Sequence, residues 1–155
     1  MPSPADRIER SVLIEAPLAR VWHALSDADT FGSWFGVKFD GGARFEPGQR
    51  AVGSVTYPGY EYLKFDVQVE RVEPQKLLSW RWHPAPMERD RDYSAEPTTL
   101  VVFELKEVEG GTLLTVVESG FDQIPAERRD EAFRMNSGGW DGQVENIRKH
   151  VTGAA

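Results

Sequence analysis

From Leu63 to Glu70, the apolar residues Leu63, Phe65, Val67 and Val69 alternate with Lys64, Asp66, Gln68 and Glu70. A period of two makes a strand with one buried and one wet face. After the turn-forming EPQK of residues 73–76, LLSWRWH returns with Leu78, Trp80 and Trp82 on one face. A tight antiparallel hairpin about residues 74–75 sets Val69 opposite Trp80 and Val67 opposite Trp82, so the two apolar faces coincide. The stretch TTLVVFELKEVEGGTLLTVVESGF folds back in the same way at Glu109-Gly110. Its pairing matches Leu105 with Leu114, Phe103 with Val116, and Val101 with Glu118. By parity the last pair turns a carboxylate inward, where it must be paired, hydrogen-bonded, protonated or wet. The alternative is that Glu118 ends its strand and reaches water.

Elsewhere the period changes. RIERSVLIE (7–15) reads as a strand. Pro17 suits a first helical turn, where its missing N–H costs little. Leu18, Val21, Trp22 and Leu25 follow at helical spacing and predict an amphipathic helix over 17–27. DADTFGSWFG (27–36) predicts a short second helix capped by Asp27 or Asp29. Residues 37–56 read as short strands broken by DGG and EPGQ. Pro125 opens a final helix on which Phe133, Trp140, Val144, Ile147 and Val151 form one stripe, flanked in its first half by Ala132 and Met135. The order is therefore one strand, two helices, six antiparallel strands and a long C-terminal helix: an α+β fold in a single domain over residues 7–151.

Two segments resist a regular reading. Gly138, Gly139 and Gly142 crowd the last helix around Trp140, and each weakens a helix interior by about 1 kcal/mol relative to alanine. Gly139 lies on the flank of the apolar stripe, where it would permit close approach to the sheet. Gly138 and Gly142 lie roughly opposite and would soften the helix. Its first half, through Met135, could then shift to admit a ligand while Trp140 to Val151 stays clamped; the plainer alternative is a poor helix held by packing. The second segment, PAPMERDRDYSAEP (84–97), is proline-rich with alternating charges from Glu88 to Asp92. It is either a solvated crossing or a lid.

Composition narrows the function. The chain has 155 residues, 40% hydrophobic and 28% charged, which fits an ordinary soluble globular domain. Five Trp, eight Phe and four Tyr supply more flat surface than such a domain requires, so they form either a well-filled core or a lined cavity. A net charge of −7 argues against nucleic acid as a partner. With no cysteine there is no disulfide, thiolate metal site or cysteine nucleophile. No apolar stretch approaches a membrane span and MPSPADRIER lacks a signal-like apolar run, so the expected location is cytoplasmic. His23, His83 and His150 are far apart and in different elements; no metal-ligand spacing, phosphate-binding loop or G-x-S-x-G occurs, and neither metal nor cofactor is implied.

Three motifs carry a resemblance. IEAPLARVWHALSDADTFGSWFG (14–36) resembles the I-x-A-P-x-x-x-V-W-x-A-L opening of the START-like (SRPBCC, Bet v-like) superfamily, in the branch named after the activator of heat-shock-protein 90 ATPase. GGTLLTVVESGF (110–121) resembles that branch's G-G-T-x-L-T-x-x-x-S-G-F strand. GWDGQVENI (139–147) resembles its G-W-x-x-x-L-x-x-L helix, with Val144 and Ile147 in place of the leucines. The matches run over residues 8–151. The resemblance implies a helix-grip fold, a curved antiparallel sheet wrapped around a long C-terminal helix, with a cavity between them. It implies no shared catalytic residues.

The expected ligand is a hydrophobic or amphipathic small molecule, lipid- or polyketide-like. Trp34, Phe35 and Phe39 around the short second helix are the expected mouth. Tyr62, Phe65, Trp80, Trp82 and Phe103 on the strands, with Phe121, Met135 and Trp140, complete the expected lining. Glu118 is the candidate polar contact. In an enzyme of the cyclase or dehydratase kind it would be the proton carrier, with Tyr60 or Tyr62 the nearest second group. A third reading is a module with a chaperone as protein partner.

Overall fold

The computed structural model describes residues 6–86 and 91–153. Glu88, Arg89 and Asp90, part of the charged run noted above, lie outside the described residues. Strand β1 (Arg7–Ile14) is followed by helices α1 (Leu18–Ser26) and α2 (Ala28–Phe35). Then come β2 (Val37–Phe39), β3 (Arg50–Val55), β4 (Lys64–Glu73), β5 (Leu77–Trp82), β6 (Thr99–Val108) and β7 (Gly111–Ser119). A 3₁₀ turn, Phe121–Gln123, leads into α3 (Ala126–Thr152). The seven strands form one antiparallel sheet in the order β1-β7-β6-β5-β4-β3-β2. The sheet curves around α3, which is the helix-grip arrangement.

The alternation of apolar residues sets the register. Val101 faces Glu118, Phe103 faces Val116, and Leu105 faces Leu114. Val69 faces Trp80 and Gln68 faces Arg81, but the pairing slips by one residue between Val69 and Arg71. The extra residue in β4 moves the turn to Pro74–Lys76, where Gln75 takes a left-handed φ of 62°. The inward residues of β4 to β7 meet α2 and α3 in a single core that includes Phe31, Phe65, Trp80, Phe103 and Trp140.

The helix signals resolve locally. Of the two candidate caps for α2, Asp27 serves: its carboxylate accepts from the Thr30 N–H at 3.0 Å and from the Thr30 hydroxyl at 2.7 Å. Gly36 ends α2 in the left-handed conformation, and a Cβ there would sit 2.5 Å from the Tyr57 ring. On α3, Ala132, Trp140, Ile147 and Val151 are buried. Met135 is exposed and does not flank the buried stripe. It lies five residues before Trp140, about 140° around the helix, which carries it to the solvent side. Nor does Gly139 serve close approach, since a Cβ there meets nothing within 4 Å, and the same holds at Gly138 and Gly142.

Because those three sites have room, replacing any of them with alanine should stabilise the fold by up to about 1 kcal/mol, read as a raised urea midpoint. Gly32→Ala should do the reverse, since its Cβ would lie 2.2 Å from the Val37 carbonyl oxygen.

Candidate functional site

Glu118 is fully buried near the end of β7, and four side chains converge on it. Oε2 accepts from the Thr99 hydroxyl at 2.6 Å, Trp82 Nε1 at 2.7 Å and Asn136 Nδ2 at 3.1 Å. Oε1 accepts from Trp140 Nε1 at 2.8 Å and Asn136 Nδ2 at 2.9 Å. Every partner donates, which suits a carboxylate that accepts through both oxygens. Local sequence explains the convergence. Trp82 is the last residue of β5 and Thr99 the first of β6, adjacent strands paired at that position. Asn136 and Trp140 stand four apart on α3 and so share one face.

Aromatic rings surround this polar centre. Phe31 on α2 lies 4.8 Å from Phe35, 5.3 Å from Phe45 and 5.5 Å from Trp80, centroid to centroid. Phe35, only half-buried, sits 6.4 Å from Trp82 and 6.1 Å from Trp140, covering the two indoles that hold Glu118. Its carbonyl accepts from Gln143 Nε2 at 2.9 Å and from the Tyr57 hydroxyl at 3.3 Å, which ties α2 to α3 and to the β3–β4 connection. In this closed arrangement rings occupy the space between sheet and helices. Trp80 Nε1 is buried among them without a hydrogen-bond partner.

Of the residues expected to meet a ligand, Phe35, Phe65, Trp80, Trp82, Phe103 and Trp140 are brought together around Glu118. Phe39 joins through Phe65 at 5.4 Å. Trp34 packs on Phe31, and its N–H is spent on the Ala24 carbonyl at 2.8 Å. Phe121 is buried against Phe133 at the start of α3. Tyr62 is half-buried just before β4, while Tyr60 and Met135 are exposed. A surface cleft of about 460 Å³ lies elsewhere, against the end of α3, and Trp34 is its one expected ligand residue. Among the described residues no group of side chains is arranged to hold a metal ion. No described helix is long and apolar enough to cross a membrane.

Asn136, Thr99 and Arg128 were missed by sequence reasoning. Nothing in the local pattern marks Thr99. Asn136 could have been found by its helical spacing from Trp140. Arg128, in the first turn of α3, is only 8% exposed. Its Nε donates to Glu96 Oε1 at 2.7 Å, and its Nη1 to the carbonyls of Pro84 and Ala85 at 2.9 and 3.4 Å. Arg91 holds the other oxygen of Glu96 at 2.7 Å, and His83 Nε2 meets the Glu96 carbonyl at 3.0 Å. The described arms of the β5–β6 connection are thus fastened to α3. Burial would push the Glu96 carboxyl up, but hydrogen bonds from Arg128 and Arg91, and their charge, outweigh it and hold the group below its ordinary 4.5.

The chain matches the family model described as activator of Hsp90 ATPase homolog 1-like protein over residues 15–152. Among solved structures it resembles protein MLL2253 from Mesorhizobium loti, with a TM-score of 0.74 and 23% identity over 96% of this chain and 98% of that one. A protein from Arthrobacter aurescens is similar at a TM-score of 0.75 and 19% identity, covering 97% of this chain and 88% of that one. DynU16, from the dynemicin biosynthetic locus, matches at a TM-score of 0.73 and 25% identity; the match covers 96% of this chain but 48% of DynU16. No curated protein matches the chain.

Glu118→Gln places an NH₂ against groups that themselves donate, so it should lower stability by about 2–4 kcal/mol in urea unfolding. A change below about 0.5 kcal/mol would show that the four contacts do not hold the carboxylate. For Glu96 the folded pKa is depressed. Its contribution is therefore complete above the unfolded value near 4.5 and is lost as pH falls through the lower folded value. The stability gap between wild type and Glu96→Gln should be wide at pH 7 and shrink progressively below about pH 4.5.

Proposed function

The chain belongs to the activator of Hsp90 ATPase homolog 1-like family, and from that premise we propose that it binds a hydrophobic or amphipathic small molecule between the sheet and α3. The observation that carries the reading is Glu118, a carboxylate set inside an aromatic core with donors aimed at it from two further strands and a helix. Stability alone does not call for it, because replacing buried ionic groups with well-packed apolar ones is often neutral or stabilising. Ligand sites have this composition, a mainly apolar lining with a few placed polar groups. The buried, unpartnered Trp80 N–H supports the same reading, since an acceptor on a ligand would satisfy it.

Entry requires rings to move. Phe35, like Phe39 and Trp82, is only partly buried, and α2 is only eight residues long. Two hydrogen bonds to the Phe35 carbonyl fasten its end, so opening at α2 would require these two bonds to break. The soft glycine segment of α3 lies beside it in sequence to Gln143 and Trp140. A second reading is favoured by the likeness to DynU16, which comes from a biosynthetic locus. In that case Glu118 is the proton carrier of a cyclase- or dehydratase-type reaction, and Glu118→Gln abolishes turnover while leaving affinity largely intact.

Native mass spectrometry of freshly purified protein, with organic extraction, tests the binding function. A discrete co-purified mass is expected, and adding the extracted compound to stripped protein should change tryptophan emission, because Trp82 and Trp140 stand at the site. A clean unliganded mass, together with unchanged emission across fatty acids and aromatic polyketides, would overturn it.

A further inference from the structure

Glu96 is held as a ligand carboxylate would be. Arg91 and Arg128 each give one nitrogen to one of its oxygens at 2.7 Å, so two guanidiniums share one carboxylate through charge-assisted hydrogen bonds of the kind that bind carboxylates and phosphates. The guanidinium carbons lie 5.3 and 4.7 Å from the centroid of the Tyr93 ring, so both rest against one aromatic ring. Arg128 is more than nine-tenths buried, and among the described residues its Nη2 has no hydrogen-bond partner although Nε and Nη1 are both engaged. A buried guanidinium with an idle nitrogen has capacity for one more acceptor than Glu96 supplies. The neighbouring backbone is strained as well: Ala85, whose carbonyl Arg128 reaches, has a φ of +48°.

We propose that Arg91, Tyr93 and Arg128 form an anion-binding site which the chain's own Glu96 fills in this closed state, and that an acidic head group, carboxylate or phosphate, binds there by taking the place of Glu96. No covalent step is involved. One carboxylate leaves the two guanidiniums and another anion enters, while Glu127 Oε1 stays 3.4 Å from Arg91. The incoming group gains the Nη2 contact that Glu96 leaves unmade. Departure of Glu96 also loosens the contact of its carbonyl with His83, and so the described arms of the β5–β6 connection. His83 follows Trp82 directly, so the exchange acts next to one of the donors to Glu118. The site itself stands on the arginine geometry. That its natural occupant is an amphipathic acid, with an apolar body in the aromatic core, rests on the binding function proposed above.

An internal occupant scales apparent affinity down to the fraction of molecules whose site is free, so removing its charge should raise affinity. Glu96→Gln keeps the shape and should bind inorganic phosphate at least tenfold more tightly than wild type in calorimetric titration at constant ionic strength. Adding Arg91→Gln, at a side chain about one-third exposed, should cancel the gain. Arg128→Lys in the Glu96→Gln background should cancel it too, because lysine keeps the charge but not the fork. No gain in Glu96→Gln, or a gain that survives both second substitutions, overturns the site. Decanoate, decyl phosphate and decanol then separate the two ideas on the wild-type protein. Decanoate or decyl phosphate binding at least tenfold better than both decanol and the bare anions supports the acidic amphiphile, and the tighter of the two names the head group. Decanol binding as well as the acids overturns the anion role and leaves the apolar binding function standing. Bare phosphate or acetate binding as well as the amphiphiles keeps the anion site and overturns the apolar occupant.

Discussion

A carboxylate can stay inside an aromatic core only if something replaces the water it gave up. Here the replacement comes from three places at once: the end of β5, the start of β6, and one face of α3. Glu118 therefore does more than sit in the core. It fixes the rotation of α3, because Asn136 and Trp140 must both turn inward to reach it. Once they do, Met135 and the three glycines have no choice but to face outward. It also fixes how the ends of β5 and β6 meet β7, since Trp82 and Thr99 bond the same oxygen.

A second polar junction lies along the same helix. Arg128 and Arg91 grip Glu96, and Arg128 also takes up the carbonyls of Pro84 and Ala85. The β5–β6 connection is thus held by its roots through Glu118 and by its arms through Glu96. Both junctions attach the sheet's loop end to the first half of α3, whereas the second half is held by buried Ile147 and Val151, by Gln143 on the Phe35 carbonyl and by Asp141 on Arg10. Apolar contact is non-directional and tolerates small slides. Hydrogen-bonded carboxylates do not, and release in an all-or-none way. Gly138 and Gly139 fall between Asn136 and Trp140, inside the polar clamp, and Gly142 just beyond it.

The protein's own rings compete with any ligand for the interior. Phe31, Phe35, Phe65, Trp80, Trp82, Phe103 and Trp140 satisfy one another well enough to close the space. A ligand must then offer contacts at least as good as those it breaks, together with an acceptor for buried donors such as Trp80 Nε1. Under the proposed binding function, size alone would not discriminate among apolar compounds, and the polar groups would carry the selectivity.

Sequence by itself determined the elements and much of the register. Alternation in 63–70 and 99–119 set which residues share a face, and parity put Glu118 on the inward one, but that it is buried there and does not reach water at the strand's end was decided by the tertiary fold. Helical spacing fixed the stripe from Trp140 to Val151 and the existence of α1 and α2. What tertiary structure decided was contact across elements distant in the chain. Thr99 lies 19 residues and Trp82 36 residues from Glu118, and no local pattern links them. Arg128 reads as a solvated first-turn cation until a loop more than thirty residues upstream folds over it. The aromatic count was compatible with a filled core or a lined cavity, and only three-dimensional packing showed the rings closing on one another. Periodicity reports which way a side chain points relative to its own backbone; which partner it meets there depends on how the sheet curves and where α3 crosses it.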